Sequence, residues 1–258
     1  MGRQKVKNTR RESRRNQAAN NVVELGARFS NKQDAVDEIN LPRMQTRRDD
    51  TPIEPRTENQ AIYLNALETK SLIFATGDAG CGKTFLATAW AAKRLLAKDV
   101  ERIIVTRPVL QADEDLGFLP GDISEKFAPY FRPVYDILQK RLGHSFLQYC
   151  LRPEIGKVEI APFAYMRGRT FENAVVILDE AQNATVGQMK MFLTRLGENV
   201  TVIVNGDVGQ IDLPSAKLSG LRDAMERFND TDLVSVVQFL KSDSVRSAIC
   251  SAALEAYA

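Results

Sequence analysis

Eight consecutive residues, Gly77, Asp78, Ala79, Gly80, Cys81, Gly82, Lys83 and Thr84, fit the pattern G-x-x-x-x-G-K-[ST]. Each residue type in it has a separate job around a polyphosphate. Glycines let a chain leaving a strand turn sharply into a helix, so that backbone N–H groups and the helix N-terminus converge on one anion. The lysine reaches the β- and γ-phosphates, and the threonine hydroxyl holds Mg²⁺. By average residue usage the pattern arises by accident in roughly one chain of this length per hundred. The apolar run Leu72-Ile73-Phe74-Ala75 directly before it makes accident rarer still. Residues 77 to 84 are therefore the candidate ATP-binding segment.

A second constellation lies about a hundred residues downstream, where the apolar run Ala174-Val175-Val176-Ile177-Leu178 ends in Asp179-Glu180. In an open parallel sheet, ligands bind outside the carboxyl ends of strands. Asp179 is then expected to complete the Mg²⁺ shell with Thr84, and Glu180 to orient or deprotonate the attacking water. A third apolar run, Val202-Ile203-Val204-Asn205, leads into Gly206-Asp207-Val208-Gly209-Gln210. Gln210 is expected to contact the γ-phosphate or the water, with Asp207 in support. Ahead of the first strand, Thr57-Glu58-Asn59-Gln60 admits two readings. The Gln60 amide has the donor and acceptor that an adenine edge requires, and Thr57 with Gln60 also fits a helix capping box. Arg107, Arg167, Arg169 and Arg246 are candidates for phosphate, because a guanidinium fork matches phosphate oxygens.

The rest of the chain must position these groups. With 258 residues and 44% hydrophobic content, it can bury one substantial core. A net charge of +2 does not mark a nucleic-acid binder by bulk electrostatics, so such a role must rest on local patches. Cys81, Cys150 and Cys250 are far apart and odd in number, which argues against a disulfide framework and a zinc site. The lone histidine, His144, excludes histidine-rich metal ligation and reads as a polar position near a helix end. No apolar stretch reaches the roughly 18 residues of a membrane span. The basic start lacks the apolar core of a secretory signal, so a cytoplasmic protein with no membrane partner is expected.

Residues 1–55 are expected to form a basic, largely disordered N-terminal segment, with a short helix around Ala18 to Phe29. Its crowded arginines and lysines fit contact with RNA, a solvated tail or a targeting peptide. Residues 56–258 read as one domain of alternating apolar runs and helical-period segments, which gives an α/β fold with a parallel sheet covered on both faces. The strands are expected at Leu72–Ala75, Arg102–Thr106, Val158–Ile160, Val175–Leu178, Val200–Asn205 and Leu233–Gln238. The helices are expected at Lys83–Ala97, Ser124–Leu142, Val186–Leu196, Leu218–Phe228 and Ser244–Tyr257, with Met189 and Phe192 in the core.

These strings together resemble the PhoH family of bacterial and phage ATP-binding proteins, over about Thr57 to Arg246. The resemblance rests on Thr57-Glu58-Asn59-Gln60, the glycine-rich segment, Val105-Thr106-Arg107-Pro108 and Leu116-Gly117-Phe118-Leu119-Pro120-Gly121-Asp122. It rests equally on Tyr165-Met166-Arg167-Gly168-Arg169, Leu178-Asp179-Glu180-Ala181-Gln182-Asn183, Gln188 to Arg195 and Gly206-Asp207-x-x-Gln210. Cys81 stands where a threonine is usual, and Ser242 to Ser247 matches the family's closing Asp-Val-Val-Arg-His-Pro only in part. The resemblance implies a RecA-like fold related to the first motor domain of superfamily-one helicases, with ATPase activity and a link to RNA metabolism. It also implies that Gln60 reads adenine. A motor of this kind needs two RecA-like domains around each ATP, and this chain has length for one. A homo-oligomeric ring, a hexamer, is therefore expected, with Arg246 or Arg167 reaching into a neighbour's site. The alternative is a nucleotide-gated RNA-binding or scaffold protein with negligible turnover.

Overall fold

The computed structural model describes residues 48–108, 123–214, 218–228 and 231–256. Most of the basic N-terminal segment, the helix expected around Ala18 to Phe29, and the string Leu116 to Asp122 lie outside the described residues. The apolar runs become six strands, β1 (Leu72–Thr76), β2 (Arg102–Arg107), β3 (Val158–Pro162), β4 (Ala174–Leu178), β5 (Val200–Gly206) and β6 (Val234–Gln238). They stand in the order β3-β2-β4-β5-β1-β6, and every neighbouring pair is parallel. β1 and β4 are buried along their whole length. That burial is why they read as unbroken apolar runs rather than alternating ones.

Successive strand residues feed opposite layers. Ile73, Val105, Val175, Ile177 and Ile203 pack with α1 (Glu58–Thr69), α2 (Lys83–Ala97), α3 (Ile123–Leu142) and α4 (His144–Leu151). Phe74, Ile104, Val176, Leu178 and Val204 pack on the other face with α5 (Val186–Leu193) and α6 (Gly220–Arg227), where Met189 and Phe192 are buried. A last helix, α7, spans Ala248–Ala256. The result is an α/β fold with a six-stranded parallel sheet covered by helices on both faces. Because all strands run one way, the carboxyl ends of β1, β4 and β5 open on the same edge. β5 lies between the other two and spaces them.

Two helix ends differ from the sequence expectation for identifiable reasons. α5 stops at Leu193, because Arg195 O accepts the Phe171 N–H at 2.9 Å and Leu196 bridges to Phe171, so this stretch is drawn into pairing. α7 starts four residues later than Ser244, because Asp243 accepts the Leu240 N–H at 2.7 Å in a short 3₁₀ turn and Val245 N donates to Gly80 O at 3.1 Å. α4 was not anticipated. His144 is its first residue and contacts Gln139 of α3 at 3.5 Å.

Candidate active site

The loop leaving β1 uses glycine where no side chain fits. Gly77 has φ +144°, and a Cβ there would lie 2.6 Å from Phe239 Cβ and 2.7 Å from Phe239 O. Gly82, with φ +86° and ψ +9°, starts α2 without any side-chain cap, so the first N–H groups of a 15-residue helix remain available to an anion. The Lys83 ammonium folds back over the loop and donates to Gly77 O at 2.6 Å and Asp78 O at 2.9 Å. Cys81 is fully buried, and burial pushes its thiol up. Its Sγ lies 3.7 Å from Leu240 O, so in this chain it packs the underside of the loop.

The chain segments that the sequence placed a hundred residues apart meet at α2. Thr84 Oγ1 donates to Asp179 Oδ1 at 2.8 Å. Asp179 is buried, and desolvation raises its carboxyl above the ordinary carboxylate range. The Thr84 hydrogen bond opposes this, the neighbouring Glu180 charge adds to it, and Arg107 and Lys83 lower it. Glu180 follows in the left-handed region at φ +53°, a conformation that costs a non-glycine residue about 1 kcal/mol or more and aims the side chain away from the strand direction. Its Oε2 accepts from Gln182 Nε2 at 2.7 Å, and Arg107 Nη2 lies 3.5 Å from Oε1.

Gln182 is almost wholly buried and works at both ends. While its nitrogen holds Glu180, its Oε1 accepts the Asp207 N–H at 3.0 Å, so the ends of β4 and β5 are tied through one amide. Ser219 Oγ donates to Gln182 O at 2.9 Å, and Gly220 N donates to Ala184 O at 2.7 Å, which hangs the start of α6 on the same segment. Asp207 Oδ1 in turn accepts from Gly209 N at 2.8 Å and shapes the turn that presents Gln210. Beneath these groups, Tyr63 Oη donates to Asn205 Oδ1 at 2.7 Å. Gln182, the Arg107 pair and the Tyr63–Asn205 bond were not singled out from the sequence. Gln182 left a trace there as part of the string Asp179-Glu180-Ala181-Gln182, Asn205 as the end of an apolar run, and Arg107 as a phosphate candidate, whereas the structure sets its guanidinium beside Glu180.

A cavity of about 270 Å³ is lined by Ala79, Gly80, Gly82, Lys83, Thr84 and Phe85, by Asp179 and Glu180, and by Gly206, Asp207 and Gln210. The structure thus brings together the phosphate loop, the metal candidates, the water-activating candidate and the Gln210 turn. Gly77, Asp78 and Cys81 support the loop from outside that lining. Gln60 is not at the cavity: its Nε2 donates to Cys81 O at 3.0 Å and its Oε1 accepts the Arg56 N–H at 2.8 Å. The capping reading holds in altered form, since Thr57 Oγ1 accepts the Gln60 N–H at 3.3 Å while the amide reaches Arg56 rather than Thr57. Arg246 lies against its own chain's loop, where a Cβ on Gly80 would come within 2.4 Å of Arg246 Nε. Arg169 forms a two-pronged ion pair with Glu159 and sits over the Phe171 ring, and Arg167 is exposed.

The donors present suit a hard cation. A threonine hydroxyl and a buried carboxylate are both oxygen ligands, and two protein ligands leave the remaining positions to phosphate and water, as Mg²⁺ prefers. Among the described residues, no group of three or more His, Cys, Asp or Glu side chains is gathered into a metal cage. Nor is any helix among them long and apolar enough to cross a membrane.

A family model described as PhoH-like protein matches residues 52–258. The chain belongs to the PhoH-like family. It is 62% identical over a 271-residue alignment to Protein PhoH of Escherichia coli, covering 100% of this chain and 74% of that protein. It is 48% identical over 206 residues to a PhoH-like protein of Mycobacterium tuberculosis, covering 80% of this chain and 58% of that one. A Bacillus subtilis PhoH-like protein is 47% identical over 205 residues, covering 80% and 64%. Among solved structures, the Pif1 helicase of Candida albicans superposes with a TM-score of 0.36 at 15% identity, covering 74% of this chain and 41% of that one. Family membership and the assembled loop make the chain a P-loop nucleotide-binding protein.

Proposed function

We propose that this protein hydrolyses ATP to ADP and phosphate at the cavity between α2 and the ends of β4 and β5, and that single-stranded RNA stimulates the turnover. The observation that carries the reading is the 2.8 Å Thr84–Asp179 hydrogen bond, which puts the metal candidates beside both the phosphate loop and Glu180. Lys83 and the N–H groups opening α2 bind the triphosphate. Thr84 and Asp179 would hold Mg²⁺, which when bound neutralises phosphate charge. Glu180 takes a proton from water as the water oxygen bonds to the γ-phosphorus. The bond from that phosphorus to the β-phosphate oxygen breaks, and ADP leaves. Gln210 lies where it can orient the water or the γ-phosphate.

The RNA part of the reading is supported by the arginines and lysines crowded between positions 3 and 15. One RecA-like domain supplies one wall of an ATP site, which supports assembly into a homo-oligomeric ring, a hexamer. Arg246, which packs on the phosphate loop, and Arg167, exposed beyond β3, are the arginines that would enter a neighbour's site. Three cysteines that are far apart in sequence and odd in number support a cytoplasmic setting.

Phosphate release by wild type, Lys83→Ala and Glu180→Gln, each with and without single-stranded RNA, tests the proposal. Glu180→Gln is expected to bind MgATP normally and to lose about 10²- to 10⁴-fold in kcat, the usual worth of a general base. Equal slow rates for wild type and Glu180→Gln, with and without RNA, would instead establish a nucleotide-gated switch.

A further inference from the structure

Both oxygens of the Glu180 carboxylate have protein partners. Gln182 Nε2 donates to Oε2 at 2.7 Å, and the Arg107 guanidinium stands 3.5 Å from Oε1. Glu180 lines the cavity, whereas Arg107 does not. Arg107 therefore addresses Glu180 from beside the cavity, and its charge also bears on the neighbouring Asp179. Its position follows from register: Arg107 ends β2 opposite Pro162 of β3, and Thr106 pairs with Leu178 of β4, one residue short of Asp179. The same guanidinium donates from Nη1 to Tyr130 O of α3 at 3.3 Å. Arg107 is thus a strut between α3 and the water-activating carboxylate.

A base that takes a proton from water needs one oxygen directed at that water. A carboxylate with one oxygen on an amide and the other beside a guanidinium is held where its protein partners want it. Gln182 is buried and locked at its far end by Asp207, so it cannot move independently, whereas the Arg107 side chain is 27% exposed and can swing. We propose that Arg107 is a positioning residue that restrains hydrolysis: its ion pair keeps Glu180 off the attacking water, and turnover requires that pair to open. Through Tyr130, a shift of α3 loosens the pair. The inference rests on the reading of Glu180 as the general base.

The test measures steady-state phosphate release at saturating MgATP for wild type, Arg107→Ala, Arg107→Lys and Glu180→Gln. MgATP affinity by calorimetry serves as the control for folding. Arg107→Ala is expected to raise basal kcat about two- to five-fold, the scale of a partly exposed ion pair, with KM for ATP within about two-fold of wild type. Arg107→Lys, which keeps the cation, returns the rate toward wild type. Raising salt screens an exposed pair, so wild type is expected to gain on Arg107→Ala as KCl goes from about 50 to 300 mM. An Arg107→Ala kcat at or below wild type with unchanged MgATP affinity overturns the proposal, because it would make Arg107 a supporter of the reaction. If Arg107→Ala binds MgATP poorly, Arg107→Gln replaces it under the same criterion. Wild-type turnover by Glu180→Gln would instead remove the general-base reading itself.

Discussion

Replacing Gln182 by alanine removes two hydrogen bonds at opposite ends of one side chain, and the structure separates their consequences. Loss of Oε1 leaves the buried Asp207 N–H without its 3.0 Å acceptor, at a cost of about 1–3 kcal/mol. Loss of Nε2 frees the Glu180 carboxylate, whose side chain is 36% exposed, so solvent recovers much of that 2.7 Å bond. The net expectation is a destabilisation of about 1–3 kcal/mol, which lowers the thermal midpoint by about 2–12 °C for a domain of this size. Activity falls for a different reason: Glu180 loses its link to the Gln210 turn, and misplaced catalytic groups lose on the order of 10²-fold in kcat. Gln182→Glu separates the two effects. It keeps an acceptor for Asp207 but buries a second carboxyl against Glu180, so it is expected to melt below wild type at neutral pH, to regain stability as the pH falls, and to show no activity gain over alanine. Thermal melts followed by phosphate-release assays on both variants check this. If Gln182→Ala melts within about 1 °C of wild type, or if Gln182→Glu is as active as wild type, the two-ended role is refuted.

Two further outcomes are expected. Burial raises the Asp179 carboxyl, so the folded chain holds that proton more tightly than the unfolded one; metal-free stability is then greatest below the ordinary carboxylate range and declines as pH rises through the raised value. Asp179→Asn should therefore melt higher than metal-free wild type at neutral pH yet gain nothing from MgATP, and EDTA should remove the wild-type gain; a lower melt for the variant sinks this. At Gly77, alanine meets both a positive φ and the Phe239 backbone at 2.7 Å. Together these cost about 2–5 kcal/mol, so Gly77→Ala should weaken MgATP binding by calorimetry at least about 30-fold; unchanged affinity would show that the loop relaxes freely.

The central strands were the most legible because β1 and β4 are buried along their whole length and are therefore written as nearly unbroken apolar runs, as in Ala174 to Leu178, whereas the edge strands β3 and β6 carry Glu159 and Ser235 at half-buried positions. Helix ends were less legible. Leu196 continues a helical period, yet it is drawn to Phe171, a partner 25 residues earlier. Gln60 shows the same limit within the site. Its sequence context left adenine recognition and capping both open, and only the arrival of Cys81 O beside its amide showed where the side chain goes.

The sequence by itself determined the chemistry on offer: a glycine-rich turn that must bare N–H groups, a lysine and hydroxyl at a helix start, and two acids at a strand end. These are local facts, fixed by backbone conformation and spacing within a few residues. Tertiary structure decided how the pieces constrain one another. It set Thr84 on Asp179, Gln182 between Glu180 and Asp207, Arg107 against Glu180, and Arg246 on its own chain's Gly80. Each of these contacts depends on strand order and register, and those are settled by how the whole core packs rather than by any one segment.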